Sequence, residues 1–359
     1  MPRTRSRLPN TSGPATSDPA ERGKARVTIA QIAEKAGVSV STVSKVLNGN
    51  KDVGDVTRRR IQSLLSTHNY ERRASTSTGQ PPIVDLVFQE LESPWAMEIV
   101  RGASQAATEA GLRIALTSLS DGARRRSWLD HISSRGTRGV ILLLANLSAR
   151  DKAELRSRGL PVAVVDPRGD IDPSVPTIGA TNWAGGYSAT RHLLELGHQR
   201  VGVISGPVEL FCSRARMDGY RSAMEAAGLP VAPELMQWGD FHVDGGFKIA
   251  AEMLALPERP TAIFAGSDLQ ALGVLEAARM ARLQVPRDLS VVGFDDLPLS
   301  RWTSPPLTTV RQPLAEMAGA AVRLVLAAGR DDGPESQSSE LVTSLVVRET
   351  SAPPAVRPA

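Results

Sequence analysis

The sequence predicts an α/β protein in which a small three-helix helix-turn-helix head precedes a two-lobed body built on two doubly wound parallel sheets. Three observations carry that expectation. The stretch VTIAQIAEKAGVSVSTVSKVLNG, residues 27–49, sets two short helical patterns about the turn Ala36-Gly37-Val38. From Ile83 onward, short apolar runs alternate with helical stretches, the order that buries parallel strands beneath right-handed crossover helices. The chain has 359 residues, and the alternating part, 83–350, is too long for one compact sheet.

Residues 1–24 are polar, basic at first and free of any apolar run, so they read as a disordered tail and not as a secretory signal. Residues 25–71 make the head. Thr28 is placed to cap a first helix whose Ile29, Ile32, Ala33 and Ala36 share one face, and Gly37 ends it. A second helix, Val40 to Leu47, buries Val43 and Leu47 and closes at Asn48-Gly49. A third, Asp55 to His68, adds Ile61, Leu64 and Leu65 to the same core. Residues 72–82 are rich in Ser, Thr and Gly and close on Pro81-Pro82, which is linker composition.

In the body, strands are expected at 83–88, 113–117, 139–144, 162–165, 201–204, 262–265 and 290–293. Helices are expected at 95–110, 184–196, 213–227, 244–255 and 268–282. The first lobe takes about 83–179 and 311–340, the second about 180–310 and 341–350, and residues 351–359 read as a disordered tail. Ligands of doubly wound folds bind beyond the carboxyl ends of the strands, so the cleft between lobes is where chemistry is sought.

Charge divides the chain in the same place. Residues 1–73 hold 14 Lys or Arg against 6 Asp or Glu, while the remainder holds 28 against 32. A basic head on a mildly acidic body points to the head as the part that meets a polyanion. Cys212 is the single cysteine, so no disulfide forms within the chain, which fits a reducing cytoplasm; it reads as a small buried residue. The longest apolar run, Val140 to Ala145, is far short of the ~20 residues that span a bilayer, so no membrane anchor is expected.

Enzyme chemistry finds little support. No GxGxxG follows a strand, no GxxxxGK[ST] occurs, and the five His residues are scattered without metal-ligand spacing. Neither a metal nor a cofactor is expected. His198 in ELGHQR reads as part of a turn, and Ser205 in VISGP as cleft lining and not as a nucleophile.

Read together, VTIAQIAEKAGVSVSTVSKVLNG, VTRRRIQ, HNY, NWAGGYSATRHLLELGHQRVGVISGP, RARMDGYRSAM, PTAIFAGSDLQALGVLEAARMARLQVPRDLSVVGFDD and SPPLTTVRQP resemble transcription regulators of the lactose-repressor (LacI/GalR) family. The resemblance runs from Val27 to Glu349. It implies a periplasmic-binding-protein-like body and a DNA-binding regulator, most simply a homodimeric repressor of carbohydrate genes. Its partners would be a near-palindromic double-stranded operator and a sugar effector. A sugar-binding receptor without a DNA role, an activator, or a regulator answering to a purine or nucleoside are the alternatives. The family's tetramers use a C-terminal leucine-heptad helix, which the ending SAPPAVRPA cannot form.

By position in the motif, Val40, Ser41 and Lys45 would face base edges. Val40 offers an apolar surface to a thymine methyl, Ser41 an unselective hydrogen bond, and Lys45 a donor that favours guanine. Thr28, Ser39, Thr42, Ser44, Asn48 and Thr57 are candidates for phosphate contact, which positions without specifying. The linker departs from the family. Gly79 stands where a leucine would wedge into the minor groove, and weak helix formers surround it. Arg72 and Arg73 either follow phosphate or a narrow minor groove, or are solvated arginines on a tether.

The resemblance also marks a cleft set: Ser93, Trp95, Asp166, Arg216, Phe241, Ser267, Asp295 and Gln312. Carboxylate and guanidinium groups suit adjacent sugar hydroxyls, and Trp95 or Phe241 could stack on a ring or simply pack. Arg216 and Asp295 lead this set, the bland alternative being an ion pair across the lobes. Ser267 replaces the frequent Asn before Asp268, and Asp268 reads as a helix cap.

Overall fold

The computed structural model describes residues 28–47, 53–67, 81–89, 91, 93–119, 128–129, 131–132, 136–144, 148–168, 175–328 and 338–355. They fall into two units that divide at Gly79 and Gln80. The head is three helices, α1 (Ile29–Ala36), α2 (Val40–Leu47) and α3 (Asp55–Thr67). Ile32, Val43 and Ile61 are completely buried at its centre. Thr28 caps α1 in a reciprocal box: its hydroxyl accepts from the Gln31 backbone N–H, and the Gln31 side chain accepts from the Thr28 N–H at 2.8 Å. Gly37 ends α1 at φ +64°, the left-handed conformation that glycine adopts without strain. In α2 the buried pair is Val43 and Val46, not Val43 and Leu47. An i, i+3 spacing puts both valines on the core side and leaves Leu47 half-buried at its edge.

The body holds two six-stranded sheets. The first comprises β1 (Ile83–Phe88), β2 (Arg113–Ser118), β3 (Thr137–Leu143), β4 (Val162–Val165), β5 (Thr177–Ala180) and β11 (Ser339–Leu341), in spatial order β11-β5-β4-β3-β1-β2 and wholly parallel. The second comprises β6 (Val201–Ser205), β7 (Met236–Trp238), β8 (Ala262–Ala265), β9 (Ser290–Asp295), β10 (Thr308–Arg311) and β12 (Ser344–Val346), ordered β12-β10-β9-β8-β6-β7. Only the β10–β12 pair is antiparallel.

Helices α4 (Pro94–Glu109), α5 (Ala149–Ser157) and α10 (Leu314–Ala328) accompany the first sheet, and α6 (Asn182–Glu195), α7 (Phe211–Ala226), α8 (Val243–Leu254) and α9 (Asp268–Met280) the second. Close helix approach needs small residues. A Cβ at Gly102 of α4 would lie 2.3 Å from the Ala315 carbonyl oxygen of α10, so only glycine fits that crossing.

The chain passes between sheets three times, after β5, after β10 and between β11 and β12. The first and third passages are stitched together: Thr181 and Thr343 hydroxyls lie 3.0 Å apart, and the Thr343 N–H donates to Thr181 Oγ1 at 2.9 Å. Gln312 stands on the second passage, immediately after β10.

One expectation is overturned at the C-terminus. Residues 351–355 are not a loose tail. The Ala352 carbonyl accepts from Ser290 Oγ at 2.9 Å, its N–H donates to the same hydroxyl at 3.0 Å, and Ser351 Oγ pairs with His192 Nε2 at 2.9 Å. His198 is the buried anchor of this strap, with Nδ1 2.8 Å from Thr261 Oγ1 and Nε2 2.9 Å from the Ala352 carbonyl. Burial holds its pKa below the usual imidazole value. Residues 356–359 lie outside the described part. Among the described residues no helix is long and apolar enough to cross a membrane.

Candidate functional site

Two sites were expected, one in each unit. In the head, α2 turns Val43 and Val46 inward, which leaves Val40, Ser41 and Lys45 on the solvent side, Val40 being 50% exposed. Ser39 begins that helix. Its hydroxyl accepts from the Thr42 N–H at 3.2 Å and lies 2.8 Å from both the Ser41 and the Thr42 hydroxyls. Thr28 and Ser39 are therefore caps first, and any phosphate contact shares an oxygen already in use. Ser44 and Thr57 are half-buried. Asn48, Arg72, Arg73 and Gly79 lie outside the described residues.

In the body, Ser93, Trp95, Asp166, Arg216, Phe241, Ser267 and Asp295 line a single cavity of about 320 Å³ between the two sheets. The fold explains why they meet. Asp166 directly follows β4 and Asp295 ends β9, both at the carboxyl edges where doubly wound sheets bind ligands. Ser93 caps α4, accepting from the Ala96 N–H at 3.2 Å, and thereby sets Trp95 in the first turn.

Arg216, on α7 and 3% exposed, organises the floor. Its Nε donates to Asn182 Oδ1 at 2.9 Å, Nη1 to the Gly266 carbonyl at 2.5 Å and Nη2 to Gln312 Oε1 at 3.3 Å. The guanidinium lies 3.6 Å from the Phe294 ring centroid and 5.5 Å from that of Phe241. Asp295 Oδ1 stands 3.8 Å from Nη1 and, although buried, has no hydrogen-bond partner among the described residues. The Arg216–Asp295 pair lies within the second lobe, so the ion pair across the lobes is corrected. What ties Arg216 to the first lobe is an amide: Gln312 Nε2 donates to Asp166 Oδ2 at 3.2 Å. Gln312 is buried behind the cavity and does not line it.

Burial raises the Asp295 carboxyl to about 7 and Asp166 to about 6, with Arg216 pulling both the other way. Four lining residues adopt the left-handed backbone region without being glycine: Leu144 at φ 50°, Asp166 at 46°, Phe241 at 67° and Asp295 at 113°. Such strain persists only where surroundings enforce it, and here it is concentrated at one cavity.

Two expectations need correcting. Ser267, not Asp268, caps α9, accepting from the Gln270 N–H at 3.1 Å and donating to the Phe241 carbonyl at the same distance. Asp268 is turned inward, where its carboxylate accepts from Thr309 Oγ1 at 2.5 Å and the Leu297 N–H at 2.7 Å. Ser205 lies wholly beneath the cavity and donates to the Ser213 carbonyl at 2.8 Å, so it is not lining. Cys212 does reach the cavity, yet burial pushes its thiol up to about 12, which removes thiolate chemistry at neutral pH.

The sequence reading missed Phe88, Arg168, Glu209, Asp240 and His242 in the same wall. Arg168 and Glu209 form an ion pair from opposite lobes, and an antiparallel bridge joins Arg168 to Leu210 beside it. Phe88 ends β1 and Arg168 lies just past β4, so the strand-end rule applied residue by residue would have found both.

Comparison with known proteins agrees with this architecture. The model for bacterial regulatory proteins of the lacI family matches residues 28–73, and that for a periplasmic binding protein-like domain matches residues 190–351. The ribose operon repressor of Escherichia coli (strain K12) is 31% identical over 303 residues, covering 83% of this chain and 92% of the repressor. Among solved structures, the transcriptional regulator CelR–cellobiose complex superposes with a TM-score of 0.70 at 30% identity, over 90% of this chain and 100% of the other. The lac repressor dimer bound to operator and the anti-inducer ONPF gives 0.67 at 26% identity, over 91% and 99%.

Proposed function

Because the chain belongs to the LacI family of bacterial regulatory proteins, and is thus a DNA-binding transcription regulator and not an enzyme, we propose that it is a homodimeric repressor whose operator affinity falls when a sugar occupies the cavity between its lobes. The observation that carries the sugar reading is the buried, unpartnered Asp295 Oδ1 beside Arg216 in a cavity walled by Phe88, Trp95 and Phe241. Such a site offers an acceptor and flat apolar faces, the combination that vicinal hydroxyls on a ring require. The cellobiose bound in the CelR complex supports the same class.

The mechanism is a shift between lobe arrangements. Gln312 links Arg216 to Asp166 across the passage between sheets, and Arg168 meets Glu209 at the rim. A ligand bridging Asp166 and Asp295 favours the arrangement in which those groups stand close, and only such differential binding moves the equilibrium. On DNA, α2 of each protomer reads one half-site, since one short helix contacts too few base pairs for useful specificity. Val40 and Ser41 discriminate weakly, so Lys45 and operator shape carry more of it.

Gel-shift on DNA from its own locus, with and without neutral mono- and disaccharides, tests the reading. Retardation relieved by a sugar is expected; no retardation on any such fragment refutes the repressor. In the same assay, Gly79→Leu should tighten operator binding if a minor-groove wedge was lost from the linker, and unchanged affinity would show that no wedge is used.

A further inference from the structure

Resting on the sugar reading, we infer that the effector is an uncharged polyhydroxylated sugar, and that the charges already built into the cavity exclude phosphorylated sugars and nucleotides. Among the described lining residues, the carboxylates Asp166, Glu209, Asp240 and Asp295 face two guanidiniums, Arg168 and Arg216, with His242 beside them. Each guanidinium already has acceptors within the protein. Arg168 donates to Glu209 and, at 3.3 Å, to Gln89 Oε1. Arg216 uses each of its three nitrogens on Asn182, Gly266 and Gln312 while its faces lie near two phenyl rings. A phosphate dianion is best met by a paired N–H fork, and Arg216, 3% exposed, already directs one N–H of each nitrogen at the protein.

Of the helix starts at the wall, a usual second source of anion-binding amides, two are capped from within and two follow carboxylates. At α4, Ser93 accepts from the Ala96 N–H, and Pro94 has no N–H to give. At α9, Ser267 takes the Gln270 N–H, and the Asp268 side chain adds a carboxyl to the first turn. Just ahead of α8, Asp240 Oδ1 accepts from the His242 N–H at 2.8 Å. Ahead of α7, the Glu209 carboxylate is held below its usual range by its own backbone N–H and by Arg168. Hydroxyls thus cap the starts of α4 and α9, while Asp240 and Glu209 set carboxylates ahead of α8 and α7, which have no side-chain cap.

What Asp295 Oδ1 lacks, among the described residues, is a donor. Asp295 Oδ1 is a buried acceptor without a partner, and a sugar hydroxyl donates where a phosphate dianion only accepts. The raised carboxyls of Asp166 and Asp295 point the same way, since a site that resists ionising its own acids resists a further anion.

Isothermal titration of the full-length protein tests this, with ribose, glucose, xylose and cellobiose against ribose 5-phosphate, glucose 6-phosphate and glucosamine. The expected result is binding of at least one neutral sugar, at least about 100-fold tighter than its phosphorylated counterpart, together with a loss of tenfold or more in Asp295→Asn of unchanged circular dichroism. A phosphorylated sugar binding as tightly as the neutral one overturns the inference and leaves the sugar reading intact. Glucosamine binding more tightly than glucose also overturns it, by showing a preference for a cation. Silence across all seven compounds refutes the sugar reading itself.

Discussion

The two lobes share a parallel six-stranded design but hold their polar groups differently. In the second, Arg216 bonds Asn182 and Gly266, Asp268 bonds Thr309, and Asp295 stands 3.8 Å from Arg216, a buried polar floor held from within the protein. The first contributes to the cavity mainly Phe88, Trp95, Leu143 and Leu144, with Asp166 and Arg168 at its edge. Its own buried carboxylate, Asp85, is satisfied far within the sheet by Thr117 Oγ1 at 2.7 Å and Trp128 Nε1 at 3.3 Å. On the proposed reading the difference assigns roles: the second lobe would orient the sugar through its polar floor, and the first would cover it with apolar surface and report closure through Asp166 and Gln312.

The strongest way to break this contrast is Arg216→Ala. It strips the buried carboxylates Asp166 and Asp295 of their cation, and removing one partner from such a site costs about 3–5 kcal/mol. A large fall in Tm and loss of sugar binding by titration calorimetry are expected. Arg216→Lys should restore little of the binding, because an ammonium cannot reach Asn182, Gly266 and Gln312 together. Survival of both stability and binding in Arg216→Ala would remove the second lobe's special role.

Trp95→Ala sharpens the comparison from the other side. Trp95 is only partly buried against the first-lobe core. Loss of its ring should weaken sugar binding by about tenfold, the equivalent of roughly 1.4 kcal/mol of apolar contact, with a smaller drop in Tm than Arg216→Ala gives.

The pH dependence is set by the shared wall. Folded Asp166 and Asp295 keep their protons to about pH 6 and 7, well above the ordinary carboxyl value of 3.8. That protonation stabilises the empty body fully in acid, and the contribution is lost as pH rises through 6 and 7. A hydroxyl-donating ligand favours the ionised carboxylates, so binding should tighten by about tenfold between pH 5 and pH 8, with proton release measurable near pH 6.5. His242, Arg216 and the Cys212 thiol face the same space, and Asp295→Asn should flatten the profile if Asp295 is the responsible group.

The smallest effect belongs to the rim. Arg168 and Glu209 are 38% and 44% exposed, so Glu209→Gln should cost at most about 1 kcal/mol, a several-fold rise in sugar Kd without a change in Tm.

How much of this was legible in the sequence follows the same divide between strong local signals and tertiary ones. Thr28 and Gly37 announced α1, because a cap hydroxyl and a left-handed glycine are local chemistry. Strands such as Ile83–Phe88 and Ala262–Ala265 stood out as apolar runs. The strands Thr177–Ala180, Met236–Trp238, Thr308–Arg311, Ser339–Leu341 and Ser344–Val346 did not, since three or four residues of mixed polarity carry no periodicity and are recruited by the sheet beside them. Helix Leu314–Ala328 was missed for the opposite reason: it is apolar on most sides, as a helix packed between α4 and the first sheet must be. In the cavity, Arg216, Asp295 and Asp166 came through motif resemblance, whereas Glu209 and Asp240 lie outside any helix or strand, where no periodicity marks them.

On the proposed reading, an uncharged sugar held between the lobes governs the grip of the head on DNA. Fluorescence anisotropy of a labelled fragment from the protein's own locus tests it most directly, read as sugar is titrated into wild type and into Asp295→Asn. Saturating sugar should weaken operator binding of wild type by about 5–150-fold, and Asp295→Asn should need at least about tenfold more sugar for the same release. Operator affinity that stays constant while calorimetry shows the cavity filled would contradict it.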